Sequence, residues 1–266
     1  MELTTKETEY ESSSAKIRAY VAYGKSKNPL PGLILIHEIF GLNDHIKDVA
    51  RRFAAQGYAV IAPHLYSRPE SPTTEEIGKT LQFISSIRPA NQKDPAYVWA
   101  QMEKLPENER GVVSRVWSMM MNMDYTAHVK DLRAAVEWLS SQDFVNKHKI
   151  GCIGFCMGGT LAGRLASSGE NLSAAIIFYG EDPPADQIDN IRCPILGLYG
   201  AEDRRITDRV PEFEKEMKIH GKRFEYHIYA GAYHAFFNDT GKNYNEEAAT
   251  DAWKRANDFL SKNLKA

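Results

Sequence analysis

The chain has 266 residues, 43% of them hydrophobic and 26% charged, with a formal net charge of −2. That is enough apolar residue for a large core, and a near-neutral balance gives no footprint for nucleic acid or an anionic membrane surface. No apolar run approaches the roughly 20 residues that span a bilayer, and three cysteines, Cys152, Cys156 and Cys193, make neither a disulfide framework nor a zinc site.

The N-terminal MELTTKETEYESSS is polar and lacks the apolar core of a signal peptide, so a cytoplasmic protein is expected. Residues 15–23 alternate, with Ala15, Ile17, Ala19, Val21 and Tyr23 on one face, which predicts a half-buried antiparallel strand near the sheet edge. The unbroken run Leu33–Ile36 reads as a strand buried on both faces. Asn43 or Asp44 can cap a helix carrying Ile46, Val49, Ala50 and Phe53, which Gly57 ends, and YAVIAP is the next strand. Strand, helix and strand thus recur within about 30 residues, as in a βαβ unit. Further on, Val129, Leu132, Val136 and Leu139 stripe a helix, followed by the strand KIGCIG and a helix over about 158–166. The strands AAIIFYG, CPILGLYG and FEYHIY follow, with a helix over 212–219 between the last two. A final amphipathic helix covers about 246–264. This alternation predicts one α/β domain over 1–266, a mostly parallel sheet with helices on both faces. Residues from about 64 to 124 break the rhythm. They carry Pro69, Pro72, Pro89, Pro95 and Pro106 and two helical patches, and they read as a helical, lid-like insertion.

The chemistry concentrates at G-F-C-M-G-G, residues 154–159, between a strand and a helix. This is the setting of a nucleophile elbow with cysteine in the nucleophile position. Gly154 and Gly158 keep the tight turn free of side-chain collision. Cys156 then sits at a helix N-terminus, where the macrodipole favours a thiolate. The Met157 N–H faces the place where an oxyanion would form. A cysteine nucleophile needs a base and the base an orienter, both after later strands. His234 follows FEYHIY in a Gly/Ala-rich loop, whereas His227 lies within a strand pattern and His148 and His220 end helices. Asp203 follows CPILGLYG and competes with Glu202 and Asp208. Cys152 and Cys193 lie in or beside apolar strands and read as structural.

Across HEIFGLN (37–43), GFCMGG (154–159), FYG (178–180), YGAED (199–203) and YHAFF (233–237) the chain resembles the dienelactone hydrolase family, the carboxymethylenebutenolidases of the α/β-hydrolase fold. The resemblance implies an ester or enol-lactone hydrolase with a Cys156–His234–Asp203 triad, no metal or organic cofactor, and a small-molecule substrate. It also implies that Glu38 pairs with the resting thiol, that the Ile39 N–H is the second oxyanion donor, and that Phe40 and Tyr179 line the substrate pocket. The family holds a substrate carboxylate with arginines, one of them four positions after the catalytic histidine. Here that position is Asn238, an amide that could bind the carboxylate without supplying charge. Arg115, in the insertion, is a candidate for the missing cation and equally fits a solvated helix surface. The rival readings are a general carboxylesterase of the same fold, a non-catalytic binding protein on that fold, and a thiol redox protein with Cys152 as the resolving cysteine.

Overall fold

A computed structural model describes residues 2–13, 15–92, 94–123 and 125–265. These fall into two compact units, Met1–Ser67 with Thr126–Ala266, and Arg68–Tyr125.

The larger unit is built on one eight-stranded sheet. Its strands are Leu3–Ser12 (β1), Ala15–Gly24 (β2), Leu30–Ile36 (β3), Ala59–Pro63 (β4), Val145–Phe155 (β5), Ala174–Phe178 (β6), Ile195–Gly200 (β7) and Phe224–Tyr229 (β8). Their order is β1-β2-β4-β3-β5-β6-β7-β8. The pairs β1–β2 and β2–β4 are antiparallel, and β4, β3, β5, β6, β7 and β8 run parallel. No element is expected before residue 15, yet β1 forms and β2 is the second strand in from the edge. The β1 side chains are mostly polar and only Tyr10 is buried, so β1 is held by its backbone ladder to β2.

Two layers of helix cover the sheet. Asp44–Ala55 (α1) and Glu246–Leu260 (α9) bury Ile46, Val49, Phe53, Ala252 and Ala256 against Leu33, Leu35, Val60, Ile153 and Phe155. Asn43 is the cap that starts α1, its Oδ1 accepting from the Ile46 N–H at 3.1 Å. Tyr125–Ser140 (α5) and Met157–Ser167 (α6) lie on the other face. A Cβ on Gly32 would come within 2.9 Å of Leu139 of α5, and Cys152 Sγ lies 3.7 Å from the Ala162 carbonyl of α6. Leu33 to Ile36 are fully buried, as a strand sandwiched between two layers requires. Arg204–Thr207 (α7) and Val210–Ile219 (α8) lie between β7 and β8.

The smaller unit holds Thr74–Ser86 (α2), Pro95–Met102 (α3) and Glu107–Met121 (α4). Thr73 and Glu76 close a capping box at α2, and Asp94 caps α3 ahead of Pro95. Ile87, Val98, Met102 and Val113 form its buried centre, with Phe83, Leu105 and Trp117 packed on it. Among the described residues no helix is long and apolar enough to cross a membrane.

Because β3 to β8 run parallel, their carboxyl ends share one edge of the sheet. That edge is where ligands bind in such sheets.

Candidate active site

Cys156 directly follows β5 with φ 56° and ψ −117°, a conformation that L-residues rarely adopt. The turn is fixed on both sides. The Cys156 N–H donates to the Phe178 carbonyl at 3.0 Å, and its own carbonyl accepts from the Thr160 N–H at 3.1 Å. The glycines are sterically required. A Cβ on Gly154 would lie 1.9 Å from the Gly158 carbonyl oxygen, and one on Gly158 would lie 2.3 Å from the Ile36 oxygen. Gly154→Ala is therefore expected to destabilise the fold by on the order of 4 kcal/mol, since backbone must move on both sides of the turn. Chemical denaturation reads this; a shift below about 1 kcal/mol would show that the turn relaxes.

His234 and Asp203 reach the elbow from the ends of β8 and β7. Their loops are tied together, because Ala201 and Glu202 donate backbone N–H groups to the Tyr229 and Ala232 carbonyls at 2.9 and 3.0 Å. Gly200 lets them close, as a Cβ there would meet the Ala232 oxygen at 2.5 Å. Asn243 Nδ2 donates to the His234 carbonyl at 2.9 Å. The outcome is a chain of three side chains: His234 Nδ1–H donates to Asp203 Oδ2 at 2.5 Å, and His234 Nε2 lies 3.0 Å from Cys156 Sγ. Burial works to lower the His234 pKa. The interaction with Cys156 and the Asp203 hydrogen bond outweigh it and carry it up to about 10. Such an imidazole can take the thiol proton and hold it. Glu202 and Asp208 do not meet the imidazole, and His220 pairs instead with Asp189 at 2.7 Å.

Glu38, 2% exposed, lies in the turn after β3. Its Oε2 accepts from Asn238 Nδ2 at 2.7 Å and its Oε1 from the Tyr179 hydroxyl at 3.3 Å. Burial pushes its carboxyl pKa up, against the pull of the Asn238 hydrogen bond and of His45 and His234. The structure thus corrects two expectations. Glu38 is not bonded to the thiol, which sits on His234. Asn238 does not present its amide to open space. It is buried, donates to Glu38, and accepts at Oδ1 from the Thr240 N–H and hydroxyl at 3.0 and 2.7 Å. Arg115 lies on α4 in the smaller unit, ion-paired with Glu76. Asn238→Ala should lower stability by about 1–3 kcal/mol, the cost of leaving a buried Glu38 oxygen without its donor. A denaturation midpoint unchanged from the parent would mean that Glu38 is held without it.

Tyr179, buried and at φ 39°, stacks edge-on to His234 with centroids 5.2 Å apart. Phe40 lies half-buried in the 38–41 turn, closed by the Gly41 N–H to the Glu38 carbonyl at 3.2 Å. Neither the Ile39 nor the Met157 N–H donates to a backbone acceptor among the described residues. Cys152 and Cys193 are buried, and burial pushes both thiols up, Cys193 to about 12, which suits inert sulfur.

Two further contributors lie beside these residues. Tyr66, after β4, donates its hydroxyl to Met157 Sδ at 3.4 Å. His37 bridges the ends of β3 and β4 through the Glu38 carbonyl and the Leu65 N–H. For His37 the one sequence signal is a polar ring directly after a buried strand.

The profile of the dienelactone hydrolase family matches residues 17–264. A protein of Saccharolobus solfataricus named as a carboxymethylenebutenolidase is 43% identical over 259 residues, covering 96% of this chain and 97% of its own. One of the same name from Methylorubrum extorquens is 29% identical over 255 residues, covering 92% and 76%. A solved structure from Klebsiella pneumoniae named as a dienelactone hydrolase matches at a TM-score of 0.74 and 27% identity, covering 98% of this chain and 99% of that one. With a match of this extent and this sheet beneath it, the chain belongs to the dienelactone hydrolase family, hydrolases of the α/β-hydrolase fold.

Proposed function

We propose that the chain cleaves an ester or enol-lactone bond of a small molecule through an acyl-cysteine intermediate. The observation that carries this is the unbroken run of contacts from Cys156 Sγ to His234 and on to Asp203, assembled on an elbow whose nucleophile is held at positive φ. The Cys156 thiolate attacks the carbonyl carbon, forming the C–S bond. The oxyanion takes hydrogen bonds from the Ile39 and Met157 N–H groups, each worth about 3–4 kcal/mol in the transition state. As the intermediate collapses, the C–O bond to the leaving group breaks and His234 delivers its proton to that oxygen. His234 then takes a proton from water, which attacks the thioester and frees the carboxylic acid and the thiolate. Asp203 fixes the Nδ1–H tautomer and stabilises the imidazolium. No step calls for a metal or organic cofactor.

Relatives named as carboxymethylenebutenolidases suggest an enol-lactone, whose stabilised leaving group suits this chemistry. The Asn238 amide serves Glu38 and Arg115 serves Glu76, so the reading commits to the ester or lactone bond and not to a substrate carboxylate. The helical unit inserted directly after β4 is the candidate lid by connectivity, and a cytoplasmic site of action belongs to the same reading.

The test is a panel of p-nitrophenyl acetate, a neutral lactone and an enol-lactone bearing a carboxylate, with rapid acid quench and peptide mass analysis. Turnover with an acyl group trapped on the Cys156 peptide is expected. Turnover with no adduct there, or with the adduct on Cys152, overturns the mechanism.

A further inference from the structure

We infer that His37 is a positioning residue for the oxyanion hole, holding and polarising the one peptide group that carries the Ile39 N–H. This rests on the reading above, in which that N–H meets the oxyanion.

The Glu38 carbonyl and the Ile39 N–H belong to the same amide. That unit is planar and trans, so whatever holds its oxygen also fixes the direction of its N–H, on the opposite side. His37 Nδ1 lies 2.5 Å from the Glu38 oxygen, and the Gly41 N–H donates to the same oxygen at 3.2 Å. At the other side of the ring, Nε2 lies 3.1 Å from the Leu65 backbone nitrogen. A backbone N–H can only donate, so Nε2 is the acceptor and Nδ1 carries the proton. The tautomer is thus set by the protein, and it is the one that can donate to the Glu38 oxygen.

Two donors on one carbonyl draw electron density toward oxygen and make the amide N–H a stronger donor, the cooperativity of hydrogen-bonded chains. The ring is placed to keep this role. It is fully buried, in ring contact with His64 at 6.1 Å and Tyr66 at 5.4 Å. Burial first, with the neighbouring charges of His64 and His128, pushes its pKa down to about 3. His37 therefore stays neutral at any assay pH, and a second N–H never confronts the Leu65 donor.

The clamp also reaches the second oxyanion donor. Gly158, in the first turn of α6, packs directly on the Ile36 and His37 carbonyls, so closely that a Cβ would sit 2.3 and 2.6 Å from them. The backbone bearing Ile39 and the backbone bearing Met157 are thus in direct contact, and the Tyr66 hydroxyl on Met157 Sδ joins them from the Leu65 side.

The experiment compares His37→Leu and His37→Asn with the parent on p-nitrophenyl acetate. Affinity for a trifluoromethyl ketone, which adds to the thiolate as a tetrahedral oxyanion, is measured alongside. His37→Leu removes both hydrogen bonds. His37→Asn keeps an amide N–H near the Nδ1 position. The expected result for His37→Leu is a fall in kcat of about 30- to 100-fold, with KM within about 3-fold and ketone affinity weakened by the same factor as kcat. His37→Asn should keep kcat and ketone affinity within about 5-fold of the parent, and if His37→Leu does not fold, His37→Phe, which keeps a ring but removes both hydrogen bonds, takes its place with the same expected losses. Parent-like kcat in a folded His37→Leu, a loss confined to KM, or a loss in His37→Asn that matches its thermal destabilisation while ketone affinity is unchanged would each overturn the inference. Acyl trapping separates the two proposals. No adduct on Cys156 in the parent removes the mechanism and this inference with it. An adduct in the parent with full kcat in His37→Leu removes this inference alone.

Discussion

Cys156→Ala is expected to lower kcat/KM for p-nitrophenyl acetate by at least about 10⁴-fold, leaving only what the backbone donors and substrate binding supply. The fold should survive. Cys156 is half-buried, its backbone bonds to Phe178 and Thr160 do not involve the sulfur, and alanine already occupies a positive φ of 63° at position 235 in the same site. Cys156→Ser is the sharper comparison, since it keeps a hydroxyl on the side of His234 Nε2, which lies 3.0 Å from the native sulfur, but exchanges a thiol for a far weaker acid. That variant should retain more than the alanine and still fall by about 10²-fold or more, because the alcohol must be deprotonated in the transition state rather than before it. Activity near the parental level in Cys156→Ala, with circular dichroism unchanged, would exclude this sulfur as the nucleophile.

The sequence shows most clearly what is buried on two faces. Leu33–Ile36, Ala174–Phe178 and Ile195–Gly200 are uninterrupted apolar runs because helices cover both sides of the sheet, and residues of that kind leave an unmistakable pattern. β1 leaves almost none, since the ladder to β2 is made of backbone groups that every residue carries. The elbow is legible for a different reason: Gly154 is dictated by a contact of under 2.5 Å across a turn only five residues long, a local constraint, whereas Gly158 is dictated by the Ile36 carbonyl at the end of β3. Asn238 is opaque in the sequence because its surroundings are not local. The chain reverses at Ala235, whose positive φ and bond to the Asn238 N–H turn the amide inward to a carboxylate 200 positions earlier. Arg115 was undecidable for the same reason, its partner Glu76 lying 39 positions away on another helix. His37 is hidden in the sequence for a further reason. Its two partners, a neighbouring carbonyl and a backbone N–H from the next strand end, show no side-chain pattern at all.

Asp203→Asn is expected to reduce kcat by about 10²- to 10³-fold, less than the about 10⁴ that the same change costs a serine triad. The reduction arises because the carboxylate accepts the Nδ1–H, whereas an asparagine amide can present an N–H there instead and turn the imidazole to the tautomer protonated at Nε2. That nitrogen then faces Cys156 as a donor and cannot accept the thiol proton. The smaller loss follows from the nucleophile, since a thiol ionises with less help than an alcohol. A shift in pH profile should accompany the loss. In the proposed mechanism His234 must be protonated to serve the leaving group, and its pKa of about 10 in the free protein places the alkaline fall of kcat/KM near that pH. Burial already works to lower this pKa, while the interactions with Cys156 and Asp203 raise it. Removing the carboxylate takes away one of the raising causes, so the alkaline limb must move to lower pH, and an ester with a poor leaving group will show it most. The same linkage acts on folding. A raised pKa in the folded state stabilises the protein fully below the unfolded value of 6.5, and that stability is lost as pH climbs through the folded value. The parent should therefore lose more stability between pH 7 and 10 than Asp203→Asn does. If the alkaline limbs of the two proteins coincide, the carboxylate does not tune this imidazole, and its part is confined to holding the ring in place.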